Sequence, residues 1–128
     1  MPRFIDNGDN TITDTKTGLI WTKNTIAKDV EHEAAEKAVA DLDCSWRLPT
    51  IKELRELIDY TKRWPAIDTE AFPDTESDWY WTSTPVAGYE DAARWAVFFG
   101  YGSVDDRSRG NDACVRAVRD VEGGPGDE

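Results

Sequence analysis

The side chains that most often carry out chemistry are few in this chain and poorly placed for it. His32 is the single histidine, and the two cysteines, Cys44 and Cys114, are widely separated. Acyl transfer needs a nucleophile beside a base, and a lone His on a helical stretch supplies no Ser-His-Asp or Cys-His set. His32 is therefore expected to be a solvated helix residue. Single cysteines at this distance do not make a zinc site. They either form one disulfide in an exported protein or remain buried thiols, and spacing does not choose between these. Asp6, Asp9 and Asp14 suggest calcium at first sight, but Gly8 interrupts the alternation of oxygen ligands that a calcium loop requires. Turn chemistry is the better reading, with no metal and no cofactor. Paired carboxylates are uninformative in a chain with 26 acidic residues, so a glycosidase-like pair has nothing to single it out. Neither a phosphate loop nor a dinucleotide fingerprint is present.

The composition rules out classes but points to no function, and the acidic charge is mostly a matter of solubility. At 128 residues, with six Trp and 39% hydrophobic residues, the chain is long and apolar enough for one domain with its own core. A net charge of -11 works against nucleic acid and anionic membrane as partners, because phosphate binding needs concentrated positive charge. The longest apolar run, 95–99, is far short of a bilayer span, and Met1-Pro2-Arg3-Phe4 does not open a secretory signal. The chain is expected to be soluble and not inserted in a membrane.

Phe4-Ile5-Asp6 and Thr11-Ile12-Thr13 flank Asn7-Gly8-Asp9-Asn10, a hairpin pattern, and Thr17-Gly18 turns the chain into a third strand at Leu19-Ile20-Trp21. Apolar residues at Ile26, Val30, Ala34, Ala35, Ala38, Val39 and Leu42 recur at helical spacing and predict an amphipathic helix. Thr50-Ile51-Lys52-Glu53 is a capping box that starts a second helix, through Leu54, Leu57 and Ile58, before Pro65. Residues 65–78, with two prolines and five carboxylates, predict a long surface loop. Three β-prone stretches follow: 79–84, 94–99 and 113–119. The order predicts an α+β domain over residues 1–120 whose last strands form an antiparallel sheet, and a flexible acidic tail over 121–128.

One irregularity is hidden by the bulk composition. From Ala96 to Val121, 26 residues pass without Glu, Lys, Gln, Met or Trp, types that fill 23 of the other 102 positions. At those frequencies the gap arises by chance roughly once in a thousand, or a few per cent for a window chosen afterwards. A Gly- and Asp-rich loop explains missing Trp and Met, but not missing Lys and Glu, which surface loops use freely.

Four blocks, in order, resemble one family. They are Phe4 to Asp14 with Thr17-Gly18-Leu19-Ile20-Trp21, then Trp46-Arg47-Leu48-Pro49-Thr50-Ile51-Lys52-Glu53-Leu54, then Tyr80-Trp81-Thr82-Ser83-Thr84, and last Val115-Arg116-Ala117-Val118-Arg119. Together, over about residues 3–119, the chain resembles the collagen-like adhesin C-terminal domain family. The resemblance implies a C-type lectin-like fold, related to that of formylglycine-generating enzymes, with the chain's N- and C-terminal strands paired. It also implies that Trp21, Trp46, Leu48 and Trp81 belong to or border the core, and that Arg47 reaches a partner beneath the sheet. The sequence departs from the family in its cysteines, with Cys114 just before the terminal block rather than within it.

Within such families, the variable proteins of diversity-generating retroelements often end in Val-Arg-Ala-Val-Arg. They are diversified by replacing adenines in AAC-type codons, which cannot yield Glu, Lys, Gln, Met or Trp. The resemblance thus gives the compositional gap a cause. Period-two alternation puts Trp95, Val97, Phe99, Gly102 and Val104 inward and leaves Ala96, Phe98, Gly100, Tyr101 and Ser103 outward or at a tip. Asp105, Asp106, Ser108, Arg109, Gly110, Asn111, Asp112 and Ala113 continue the run. These thirteen residues form the expected variable, ligand-binding surface.

The expected function is a non-enzymatic receptor- or adhesin-type module that meets a protein or glycan on another cell or particle, displayed on a virion or cell surface. Its mix of Tyr, Ser, Gly, Asn, Asp and Arg matches antibody paratopes. Two alternatives stand beside it. One is a fixed adhesin domain binding glycans or glycosaminoglycans without diversification, where the net charge weighs against sulfated polyanions unless Arg107, Arg109, Arg116 and Arg119 cluster. The other is an enzyme like the formylglycine-generating relatives, for which Cys44 and Cys114 lack an activating neighbour.

Overall fold

The computed structural model describes residues 2–120, so the expected tail at 121–128 lies outside the described residues. Two sheets and two short helices form an α+β domain. Strands β1 (Phe4–Asp6), β2 (Thr11–Asp14) and β3 (Leu19–Thr22) make the expected antiparallel hairpins. Positive φ angles at Gly8 and Asn10 turn the first of these. The final strand β9 (Val118–Asp120) completes this sheet, in the order β1-β2-β3-β9. The two chain ends therefore share a sheet but occupy its opposite edges: β9 pairs with β3, Trp21 opposite Val118, and not with β1.

The second sheet has the order β4-β8-β5-β6-β7, built from β4 (Ala27–Val30), β5 (Trp79–Pro85), β6 (Ala93–Phe98), β7 (Ser103–Ser108) and β8 (Ala113–Val115). All neighbours are antiparallel except β5 and β8, which pair in parallel through Tyr80 and Cys114. The terminal block thus serves both sheets, β8 in one and β9 in the other.

Helix α1 (His32–Ala40) is shorter than its apolar spacing predicts. Residues 27–30 are strand instead, with Ala27 opposite Val115 and Val30 opposite Ala113. Spacing of four between Ile26 and Val30 satisfies a helix as well as an irregular strand, and pairing with β8 decides it. Helix α2 (Ile51–Arg55) carries the expected capping box: Thr50 accepts from the Glu53 amide, and the Glu53 carboxylate accepts from the Thr50 amide at 2.9 Å.

The five-stranded sheet buries both faces. On one side Tyr80, Val97, Phe99 and Cys114 pack with Leu54, Leu57, Phe72 and residues of the first sheet. On the other, Trp81, Ala113 and Val115 pack with Ala35 and Val39 of α1 and with Leu48. Segment 65–78 is irregular but not a surface loop. Ala66, Ile67, Ala71, Phe72 and Thr75 are buried, because its apolar residues fill the first of these cores while its carboxylates stay outside.

Trp21, Leu48 and Trp81 are buried as expected, and Trp46 is half-buried beneath the Arg119 guanidinium at 5.1 Å. Arg47 does not reach under a sheet. It is partly exposed and forms a fork with Glu53 at 2.7 and 2.9 Å and a contact to Asp120 at 3.2 Å. The deep arginine is Arg116, fully buried, donating to the carbonyls of Thr22 and Lys23 and to Thr75 Oγ1 at 2.6 to 2.8 Å. Its guanidinium lies over the Phe72 ring at 4.7 Å, so one side chain ties the first sheet to segment 72–75.

Candidate ligand-binding surface

The expected variable residues fall on β6, β7, the hairpin tip between them and the crossing from β7 to β8. Tyr101 at the tip is 56% exposed, and Asp105, Asp106, Ser108, Gly110, Asn111 and Asp112 are exposed. Phe98, Ser103 and Arg109 are half-buried. Nine of these ten fall within residues 101–112, along the edge of the sheet that β7 forms, and Phe98 lies beside them on β6. Successive carboxylates at Asp105 and Asp106 keep that edge from recruiting another strand.

Three of the thirteen are not surface residues. Ala96 pairs with Trp81 on β5 and Asp105 on β7, and is fully buried. Alternation does put it on the face of Phe98, but its register partner Trp81 is buried on the side of the sheet that α1 covers. Gly100 is buried beneath aromatic rings; a Cβ there would collide with Phe98 and with Trp64. Ala113 is already inside β8, packed against the α1 side of the sheet. Conversely, Val104 was expected inward and is 37% exposed, because the helix-covered core does not reach the edge strand.

The crossing itself is held in place. The Arg109 amide donates to the Ala92 carbonyl at 2.9 Å, and the Arg109 carbonyl accepts from the His32 amide at 3.1 Å. Arg107 donates through Nε and Nη2 to the Asp112 carbonyl and lies over the Trp79 ring at 5.4 Å. A rigid crossing with outward side chains allows replacement with little loss of packing.

Two aromatics of this surface, Trp64 and Trp79, are not legible in the sequence, whereas Phe98 and Tyr101 are among the expected residues. Trp64, Trp79, Phe98 and Tyr101 form a cluster, with centroids 5.0 Å apart for Phe98 and Tyr101, 5.2 Å for Trp79 and Phe98, and 5.9 Å for Trp64 and Tyr101. Trp64 is 59% exposed, and its amide donates to the Gly100 carbonyl, pinning the 60–66 segment to the hairpin tip. Large exposed aromatics with few rotatable bonds are the side chains that anchor interfaces. The signal in the sequence was a tryptophan in a polar, Pro-containing stretch, but nothing local joins residue 64 to residue 101.

The remaining candidate groups are occupied elsewhere. His32 is not solvated: it is fully buried, its Nε2 hydrogen-bonded to the Thr82 carbonyl at 2.9 Å, its ring edge-on to Trp81 at 5.0 Å. Burial holds its pKa below the usual histidine value. Cys44 is exposed and Cys114 buried, both as free thiols, and burial pushes the Cys114 thiol up to about 12. Asp6, Asp9 and Asp14 take separate partners: Lys23 and the Gly8 amide, Thr11, and Arg3 with the Lys16 amide. No helix among the described residues is long and apolar enough to cross a membrane.

The α+β domain presents a mixed aromatic and polar edge at the β6–β7 tip. Residues 10–119 match the model of the Lcl C-terminal domain family, and the chain belongs to that family. A search of curated proteins found no match. Membership is compatible with an adhesin-like or ligand-binding module.

Proposed function

We propose that this domain is a non-enzymatic binding module of C-type lectin-like fold, and that its β6–β7 tip, β7 edge and crossing to β8 form a ligand surface diversified by a retroelement. The observation that carries the reading is the coincidence of two properties in one segment. The stretch lacking Glu, Lys, Gln, Met and Trp also supplies the exposed edge from Tyr101 to Asp112. Phe98 and Tyr101 bring variable aromatics against Trp64 and Trp79, which lie outside the gap and form a constant anchor. The ligand is a protein or glycan presented by another cell or particle.

The fixed-adhesin reading, with arginines gathered for a polyanion, is disfavoured by Arg116, which is fully buried, and by Arg119, which is committed to Trp46. A formylglycine-type activity is disfavoured by the buried, raised thiol of Cys114. The test is binding of the whole chain to a glycan array and to a panel of cell-surface proteins, beside a Trp64→Ala/Tyr101→Ala variant. The expected result is a ligand retained by the parent and lost, by about tenfold or more, in the variant. A ligand bound equally by both would move the site elsewhere.

A further inference from the structure

Away from the hairpin edge, a groove of about 660 Å³ runs between β1 and the segment that follows α2. Its floor is apolar: Phe4, Ile12, Leu57 and Ile58, the last three buried. Its rim is acidic, with Asp6, Asp59, Asp68 and Glu70. Asp6 is paired with Lys23, but Asp59 and Asp68 each accept through Oδ1 from neutral donors, Thr61 and the amides of Glu70 and Ala71, and neither forms a salt bridge among the described residues, although Lys62 lies near Asp59. Glu70 has no ion pair among the described residues. The one cation on the wall, Arg3, is already engaged bidentately by Asp14 at 2.9 Å. Tyr60, 73% exposed, forms part of the wall and also approaches Gly102, so the groove opens toward the hairpin tip.

We propose that this groove docks a peptide segment of a partner protein that carries Lys or Arg beside apolar side chains. The argument is charge complementarity over an apolar floor: the floor takes the aliphatic or aromatic groups, and the rim takes the ammonium or guanidinium heads, which keep contact with water. A net charge of -11 draws such a segment in. The proposal is independent of the diversified surface, because none of the groove residues lies in the gap between 96 and 121.

The test uses the whole chain and a fluorescein-labelled, end-blocked peptide alternating Lys and Leu, read by fluorescence polarisation. The groove variant is Glu70→Lys, and the control is Glu33→Lys, an equal change of charge on exposed α1, which packs against the other sheet. The expected result is a loss of about tenfold in affinity for Glu70→Lys and about twofold or less for Glu33→Lys. Spermine, cationic without apolar side chains, should compete at least about tenfold less well than the unlabelled peptide. Tyr101→Ala should leave peptide binding unchanged, which separates this site from the hairpin surface. Equal losses in the two charge variants, or equal competition by spermine, would reduce the attraction to overall charge and overturn the proposal. So would the absence of peptide binding.

Discussion

Two regions share the same compositional gap and use it in opposite ways. Residues 113–118 are buried throughout and tie the two sheets together, whereas residues 101–112 are exposed or half-buried along an edge. In the first, the absence of Lys and Glu needs no special cause, since a core strand excludes unpaired charge. In the second it does, because an exposed edge strand usually favours Lys. The difference narrows the proposed diversified set to Phe98 and the nine candidates between Tyr101 and Asp112, and removes Ala96, Gly100 and Ala113 from it.

The contrast can be broken by substitution. Arg116→Ala removes three hydrogen bonds and strands the buried Thr22 carbonyl and the partly buried Lys23 carbonyl, so it should cost about 3–5 kcal/mol in urea unfolding. The same change at Arg107, on the edge, should cost about 1 kcal/mol or less, since that side chain keeps solvent access. Equal costs would erase the distinction between core block and edge. Gly100→Ala should cost about 1–3 kcal/mol and alter tryptophan fluorescence, because its methyl must displace the rings of Phe98 and Trp64.

His32 provides a pH test of the buried side. Its folded pKa lies below the ordinary 6.5, so the native state favours the neutral ring and unfolding takes up a proton at lower pH. The His32 contribution is therefore expected to be constant above about pH 6.5 and to be lost as pH drops below it, and His32→Gln should remove that part of the slope. The depressed carboxyls of Asp14 and Glu53 act in a separate window: their contribution is present above the ordinary carboxylate range and is lost as pH falls through their lower folded values. The smallest effect is expected at Asp105 and Asp106, where Ala should change stability within about 0.5 kcal/mol.

Much of the scaffold was legible because its signals are local. The hairpins around Asn7 and Gly18, the Thr50 capping box and the alternation of Tyr80 and Trp81 each rest on residues within one element. What failed depended on partners distant in sequence. Ile26 and Val30 read as helix until β8 claims the strand, and His32 reads as solvated until Thr82 and Trp81 enclose it. Segment 65–78 reads as surface because its prolines and carboxylates outnumber Ile67 and Phe72, which nevertheless fill the core. The candidate surface was legible as a polar run, but the Trp64 anchor was not, since it is brought there by bonds distant in sequence, from the Trp64 amide to Gly100 and from the Ala66 amide to Phe99.

The central claim is tested most directly in the coding DNA and its flanks. If the edge is diversified, a near-identical, adenine-rich repeat lies close to a reverse-transcriptase gene, and its mismatches to this coding sequence fall at template adenines. They concentrate in the codons for Phe98, Tyr101, Ser103, Asp105, Asp106, Ser108, Arg109, Gly110, Asn111 and Asp112, and spare those for Ala96, Gly100 and Ala113. No such repeat, or mismatches spread equally over buried and exposed codons, would contradict it and return the segment to an ordinary loop.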